Sequence, residues 1–330
     1  MKMKAHDDPR KTLPASGKHA TRSRRDAAST RQRATPNIKL THPARIVYPS
    51  GGFSKREVAD YYLAVAPRLL PEIVGRPLSL LRCPGGSEAQ CFFQKHDTGQ
   101  LGAHVRHVLL REATGETAPY IVIDDVAGLI ELVQMNTLEL HPWGARADDV
   151  EHPDRLVFDL DPDAEITWPE LVAAARELRD ALAELDLQSF VRLSGGKGVH
   201  LVVPIARGPT WDQVKSFCET FSRAMVERHP TRYVAGATKA QRRGRIFIDW
   251  LRNARGATSV ASWSLRARAG APVVMPLRWT ELARTQRANA FDLNAAMRRA
   301  TSRAQPWPGF EQACRQRLPI SGHETISSRR

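Results

Sequence analysis

Apolar residues first repeat regularly just after residue 50. From Ser54 onward, Val58, Tyr61, Tyr62, Val65 and Leu69 recur at helical spacing, and Ser54 followed by Glu57 forms a capping box, so a helix opens here. Short apolar runs at 78–83, 91–94 and 104–110 predict strands. YIVID at 120–124 and LELH at 138–141 predict two more, with a helical stretch over 125–134 between them. From Arg155 the rhythm sharpens. RLVFDLD is a strand closed by Pro162, 168–185 an amphipathic helix, SFVRL at 189–193 a strand and VHLVVP at 199–204 another. Residues 210–228 are helical, RIFID at 245–249 is a strand, and 259–265 is predicted as one more. Strands and helices mix without strict βαβ alternation, which predicts an α+β domain with a mixed or largely antiparallel central sheet flanked by helices. No internal repeat is visible.

Composition narrows this picture. No uninterrupted apolar run approaches the roughly 20 residues that span a bilayer, and the N-terminus carries no apolar signal stretch, so a cytoplasmic protein is expected. Residues 1–39 hold eleven Lys/Arg against three Asp and almost no large apolar side chains. Such a segment cannot offset its ordering entropy by burial, so a disordered basic tail is expected before a body at 40–310 and a short tail at 311–330. The net charge of +14 points to a polyanion, with nucleic acid first among candidates. Cys83, Cys91, Cys218 and Cys314 form no C-x-x-C pair, so reduced thiols that mostly pack are expected in place of zinc ligands or disulfides.

Candidate chemistry begins at Asp159-Leu160-Asp161. Alternation along a strand sends both carboxylates to one face and Phe158 and Leu160 to the other. Two close carboxylates stay ionised only beside a counter-charge, and hard oxygen donors suit Mg²⁺ or Mn²⁺. Asp249 ends the apolar strand RIFID and adds a third acid. Three carboxylates can hold two metals for in-line nucleotidyl displacement. Ser194-Gly195-Gly196-Lys197-Gly198-Val199-His200 lacks P-loop spacing and precedes a strand; it reads as a glycine-rich turn whose free N–H groups form an anion nest, with Ser194, Lys197 and His200 as further donors.

DLDP, SGGKGVH and IDWLRN, in this order and spacing, resemble the archaeo-eukaryotic primase superfamily, and more closely the polymerase domain of bacterial DNA ligase D. The resemblance covers residues 40–310 and implies a primase-like catalytic fold. It implies a repair polymerase that adds nucleotides, ribonucleotides by preference, to primer 3′ ends at gaps or double-strand breaks in non-homologous end joining. Asp159, Asp161 and Asp249 would hold two Mn²⁺ or Mg²⁺ ions, with NTP or dNTP as substrate. Ser194, Lys197, His200, His141, Arg252 and Arg266 would bind the nucleotide, His141 near its sugar. Arg45 and Lys55 would take the downstream 5′-phosphate, with Arg45 standing where the family has lysine. Phe92 and Phe93 would supply template stacking, one facing DNA and the other packing inward, and Lys95 is a further exposed cation on that strand. Gapped DNA and DNA ends, a Ku-like protein and a ligase are the implied partners, with nucleoid association and no membrane.

Ala261-Ser262-Trp263-Ser264 departs from the family's Pro-Tyr pattern. No E-x-K-x-D-G motif occurs, so no ligase activity is expected. Three alternatives stay open on the residues alone: a primase that starts chains without a primer, a D-x-D glycosyltransferase, and a non-catalytic module that bridges DNA ends.

Overall fold

The computed structural model describes residues 38–320 except Ala113 and Ala237. All belong to one compact unit, Pro36–Arg330. The expected basic tail lies outside the described residues apart from its last two positions.

The chain opens with β1 (Ile46–Tyr48), β2 (Phe53–Ser54), α1 (Lys55–Ile73), β3 (Leu78–Arg82), β4 (Phe92–Gln94), β5 (Val105–Arg111), β6 (Thr117–Ile123), α2 (Val126–Gln134) and β7 (Thr137–Pro142). It continues through β8 (Arg155–Pro162), α3 (Trp168–Ala183), β9 (Phe190–Leu193), β10 (Val199–Pro204), α4 (Trp211–Arg228), β11 (Tyr233–Val234) and β12 (Ile246–Asp249). β13 (Met275–Leu277) and the short helices α5 (Trp279–Leu282), α6 (Leu293–Ala300) and α7 (Phe310–Ala313) complete it. The capping box at Ser54 is present: its hydroxyl accepts from Glu57 N and the Glu57 carboxylate accepts from Ser54 N. Every apolar position read as the buried stripe of α1 is at most 1% exposed.

Two sheets carry the fold. The larger runs β11-β12-β8-β10-β9-β13, antiparallel except for the β11–β12 pair, which makes it mixed as expected. The other runs β4-β3-β6-β5, with β7 also paired to β3. β8 is central in the larger sheet. Its Leu156, Phe158 and Leu160 are fully buried on one face, which α3 and α4 pack against, Phe158 meeting Phe221 at 5.1 Å. That coverage leaves the opposite face of β8, with Asp159 and Asp161, for chemistry.

Three expectations change. Residues 259–265 form no strand: Ala261 N bonds to Leu140 O of β7, Trp263 N to Val274 O, and Trp263 sits at φ +67°. The segment divides its backbone bonds between β7 and Val274, which lies just before β13, and a left-handed residue breaks any extended run. Second, Cys83 and Cys91 form a disulfide. Arg82 stands opposite Phe92 in the β3–β4 hairpin, so the next residue out on each strand meets its counterpart at a Cα separation of 4.3 Å. Third, residues 311–320 pack on the body, where Ala313 and Leu318 are buried and Gln316 bonds to Pro204 O and Gln188 O. No helix among the described residues is long and apolar enough to cross a membrane.

Candidate active site

Strand register builds the centre of the site. Asp159 stands opposite Asp249 of β12 on one side and opposite His200 of β10 on the other, and Asp161 lies two residues along the same face. Asn253 clamps the turn after β12, exchanging bonds of 2.7 and 2.8 Å with the Val157 backbone, so Asp249 is held against β8. Burial pushes the Asp159 carboxyl up to about 7; Arg252 opposes that shift, while Asp249 and Asp161 add to it. Arg252 Nε lies 3.2 Å from Asp249 and Arg242 Nη1 lies 3.6 Å from Asp161. The acids are thus arranged so that positive charge must sit among them. Among the described residues no three His, Cys, Asp or Glu side chains are gathered tightly enough to hold a metal as they stand. Two of the three acids turn toward arginines instead. The donor set, three carboxylates on one face, still fits a hard divalent cation, which would relieve the repulsion that raises Asp159.

His200 is buried, with Nε2 3.5 Å from Asp159, and its Nδ1 accepts from Arg192 Nε at 3.1 Å. An acceptor at Nδ1 places the proton on Nε2. Burial, with Arg192 and Arg266 adding to it, holds the ring well below the ordinary histidine pKa, so it is neutral near pH 7. Arg192 itself is 2% exposed and tied to Glu72, Ser262 and Ser259.

The glycine-rich turn differs from the expected nest. Gly196 N and Gly198 N both bond to Ser194 Oγ, and Gly195 N bonds to Ala288 O, so three of its N–H groups are taken within the fold. Ser194 shapes the turn and is buried, whereas Lys197 is exposed and has no ion-pair partner among the described residues. Gly195 has φ +66°, and a Cβ on Gly198 would lie 2.1 Å from Leu160 O, so these two glycines each have their own reason.

From the other sheet, β7 brings Glu139 and His141. Glu139 accepts from His141 Nε2 at 2.9 Å, from Arg266 Nε at 3.0 Å and from Ala267 N at 2.8 Å. Arg266 Nη1 continues to Ser194 O at 2.6 Å. Phe93 meets His141 edge-on at 5.2 Å, which brings the expected stacking hairpin to the site. Phe92 and Phe93 are 45% and 63% exposed. Neither enters the core, which corrects the expectation that one would pack inward; in a three-residue strand at the sheet edge, both faces meet solvent. Lys95 pairs with Glu112 at 2.7 Å. Arg45 is exposed and donates to Pro84 O. Lys55 is 4% exposed with Nζ 2.6 Å from Gln134 O; burial and neighbouring Arg45 lower its pKa. These two cations are neighbours, but only Arg45 is open to solvent.

The model of the LigD primase-polymerase domain matches residues 54–307. The chain belongs to that family. The multifunctional non-homologous end joining protein LigD of Pseudomonas aeruginosa is 37% identical over 298 residues, 90% of this chain and 35% of that protein. Its namesake in Mycolicibacterium smegmatis is 33% identical over 248 residues, 74% of this chain and 32% of that protein. The chain therefore spans about a third of the length of these relatives. Among solved structures, the polymerase domain from Mycobacterium tuberculosis ligase D in complex with DNA matches with a TM-score of 0.75 at 28% identity, covering 80% of this chain and 94% of that one.

Membership in this family makes the residues that sequence reasoning missed more informative. Arg192, Glu139 and Asn253 each anchor a residue that it found. All three are polar residues within or beside buried strands, which was the available signal. Two surface hollows, of about 300 and 370 Å³, share no residue with the acids.

Proposed function

We propose that the chain is a DNA-directed nucleotidyltransferase that extends primer 3′ ends at gaps and breaks during bacterial end joining. The observation that carries this reading is the register that sets Asp159 between Asp249 and His200, with Asp161 on the same face and Arg252 and Arg266 near them. A DNA-bound relative of matching fold supports it.

Asp159, Asp161 and Asp249 would hold two magnesium or manganese ions. Bound there, these would lower the pKa of the primer hydroxyl and neutralise charge on the triphosphate. The protein's own contribution is placement. Lys197 and Arg252 present cations to the triphosphate, His200 presents Nε2–H, and Arg266 lines the wall beside the Ser194 turn. His141 meets the sugar, and the sugar preference is for ribonucleotides. The exposed Phe92 and Phe93 offer ring faces to template bases, a contact that tolerates any sequence. Arg45, with Lys55 behind it, takes the downstream 5′-phosphate. Ku-like and ligase partners would deliver the ends and seal them.

The test is extension of a labelled primer across a short gap bearing a downstream 5′-phosphate, using ribo- and deoxynucleotides with Mn²⁺ or Mg²⁺. The parent should extend and the Asp159→Ala/Asp161→Ala double variant should not. Gap binding by both proteins with extension by neither would replace this reading with that of an end-bridging module.

A further inference from the structure

Glu139 is a carboxylate taken out of water in a strand buried along its whole length. Leu138 and Leu140 fill the core on one face, so alternation sends Glu139 and His141 together to the other. An ionised carboxylate at such a position persists only when donors satisfy it. Here three do: Oε2 takes His141 Nε2 and Arg266 Nε, and Oε1 takes Ala267 N. Burial alone would raise the carboxyl, yet the His141 bond, the Arg266 charge and the Ala267 N–H together hold it down at about 2. Glu139 is therefore acceptor-only at any working pH.

Two consequences follow. His141 must place its proton on Nε2, because its partner there can only accept; Nδ1 is then the ring's acceptor, and no described residue donates to it. Burial also favours the neutral ring. Arg266, held at Nε by the same carboxylate, extends Nη1 to the Ser194 carbonyl at the head of the glycine-rich turn. One buried acid thus orients two nucleotide-binding side chains and links β7 to that turn.

We propose that Glu139 is a positioning residue for the incoming nucleotide, fixing His141 as an Nδ1 acceptor for a sugar hydroxyl and Arg266 against the triphosphate side of the site. This rests on the nucleotidyltransferase reading above. A fixed acceptor favours sugars that retain a hydroxyl within its reach. KM should therefore climb stepwise from ribo- to 2′-deoxy- to 2′,3′-dideoxynucleotide, and that climb should depend on Glu139.

The experiment measures this KM series in single-nucleotide extension by the full chain, with nucleotide binding followed in parallel. In Glu139→Ala, KM for the ribonucleotide should rise about tenfold or more, the loss of one well-placed hydrogen bond. The series should flatten, while kcat at saturating nucleotide stays near that of the parent because the acids are untouched. Glu139→Gln, which keeps one carbonyl acceptor, should recover part of the series. Should Glu139→Ala fail to fold, ¹⁵N shifts of the His141 ring in the parent still decide: protonated Nε2 with bare Nδ1 is expected, and the reverse overturns the proposal. A parent that extends primers beside a folded Glu139→Ala chain with an unchanged series, or a parent whose series is flat, overturns it alone. A parent that neither binds nor adds any nucleotide overturns the transferase reading as well.

Discussion

The three glycines of Ser194-Gly195-Gly196-Lys197-Gly198 make a graded test of how closely the site is built. At Gly198 an added Cβ would lie 2.1 Å from the Leu160 carbonyl oxygen, inside the 3.0 Å that real Cβ contacts essentially never breach, and a tight 3.1 Å from its carbon. The obstacle is the backbone of β8, one residue from Asp159, and it cannot rotate away. Gly198→Ala must therefore push β10 off β8 where His200 faces Asp159. Such overpacking costs about 1–3 kcal/mol, and displacing the acids by about 1 Å should cost on the order of a hundredfold in rate. Gly195→Ala meets Arg266 Cγ at 2.8 Å and must hold φ +66°, so about 1 kcal/mol or more is expected, with Arg266 giving way. At Gly196 nothing lies nearer than 3.5 Å and φ is ordinary, so Gly196→Ala should match the parent. Thermal melts with primer-extension rates for the three variants check the order. Equal stability and activity of Gly198→Ala and Gly196→Ala would refute the close approach of β10 to β8.

Further outcomes follow from the same geometry. Because the folded-state pKa of Asp159 is raised to about 7 from 3.8, the metal-free fold holds its proton more tightly than the unfolded chain does. Its stability should fall as pH rises between those values and level off above 7. Asp159→Asn should then melt higher than the parent in chelator at pH 8, by up to a few kcal/mol, with the gap closing toward pH 4; a pH-independent difference in melts would remove the assignment. Phe93→Ala should leave the melting point unchanged, since the ring is 63% exposed. It should weaken binding of template-bearing DNA by about 1–3 kcal/mol, read by fluorescence anisotropy; no loss would take Phe93 out of the interface. Replacing Cys83 and Cys91 by serine should cost about 2–3 kcal/mol in denaturant titration, from the short loop they close, and reductant should lower the parent to the same level.

Local pattern carried much of this protein. The helix from Ser54, the strands around Asp159, His200 and Asp249, and the mixed α+β class all follow from periodicity and capping, because each element buries its own apolar face. The motifs DLDP, SGGKGVH and IDWLRN pointed to a family to which the chain belongs. Other features depend on which segments meet. The pairing of β8 with β12 and β10, the bonds of Glu139 to residues more than a hundred positions away, and the Cys83–Cys91 bridge all join separate stretches of chain. Residues 259–265 look like a strand and are not, since their backbone donors answer to two separate segments, β7 and Val274. A hydrogen bond or an ion pair between distant residues leaves no periodic trace in either partner's neighbourhood, so only the tertiary structure decides it.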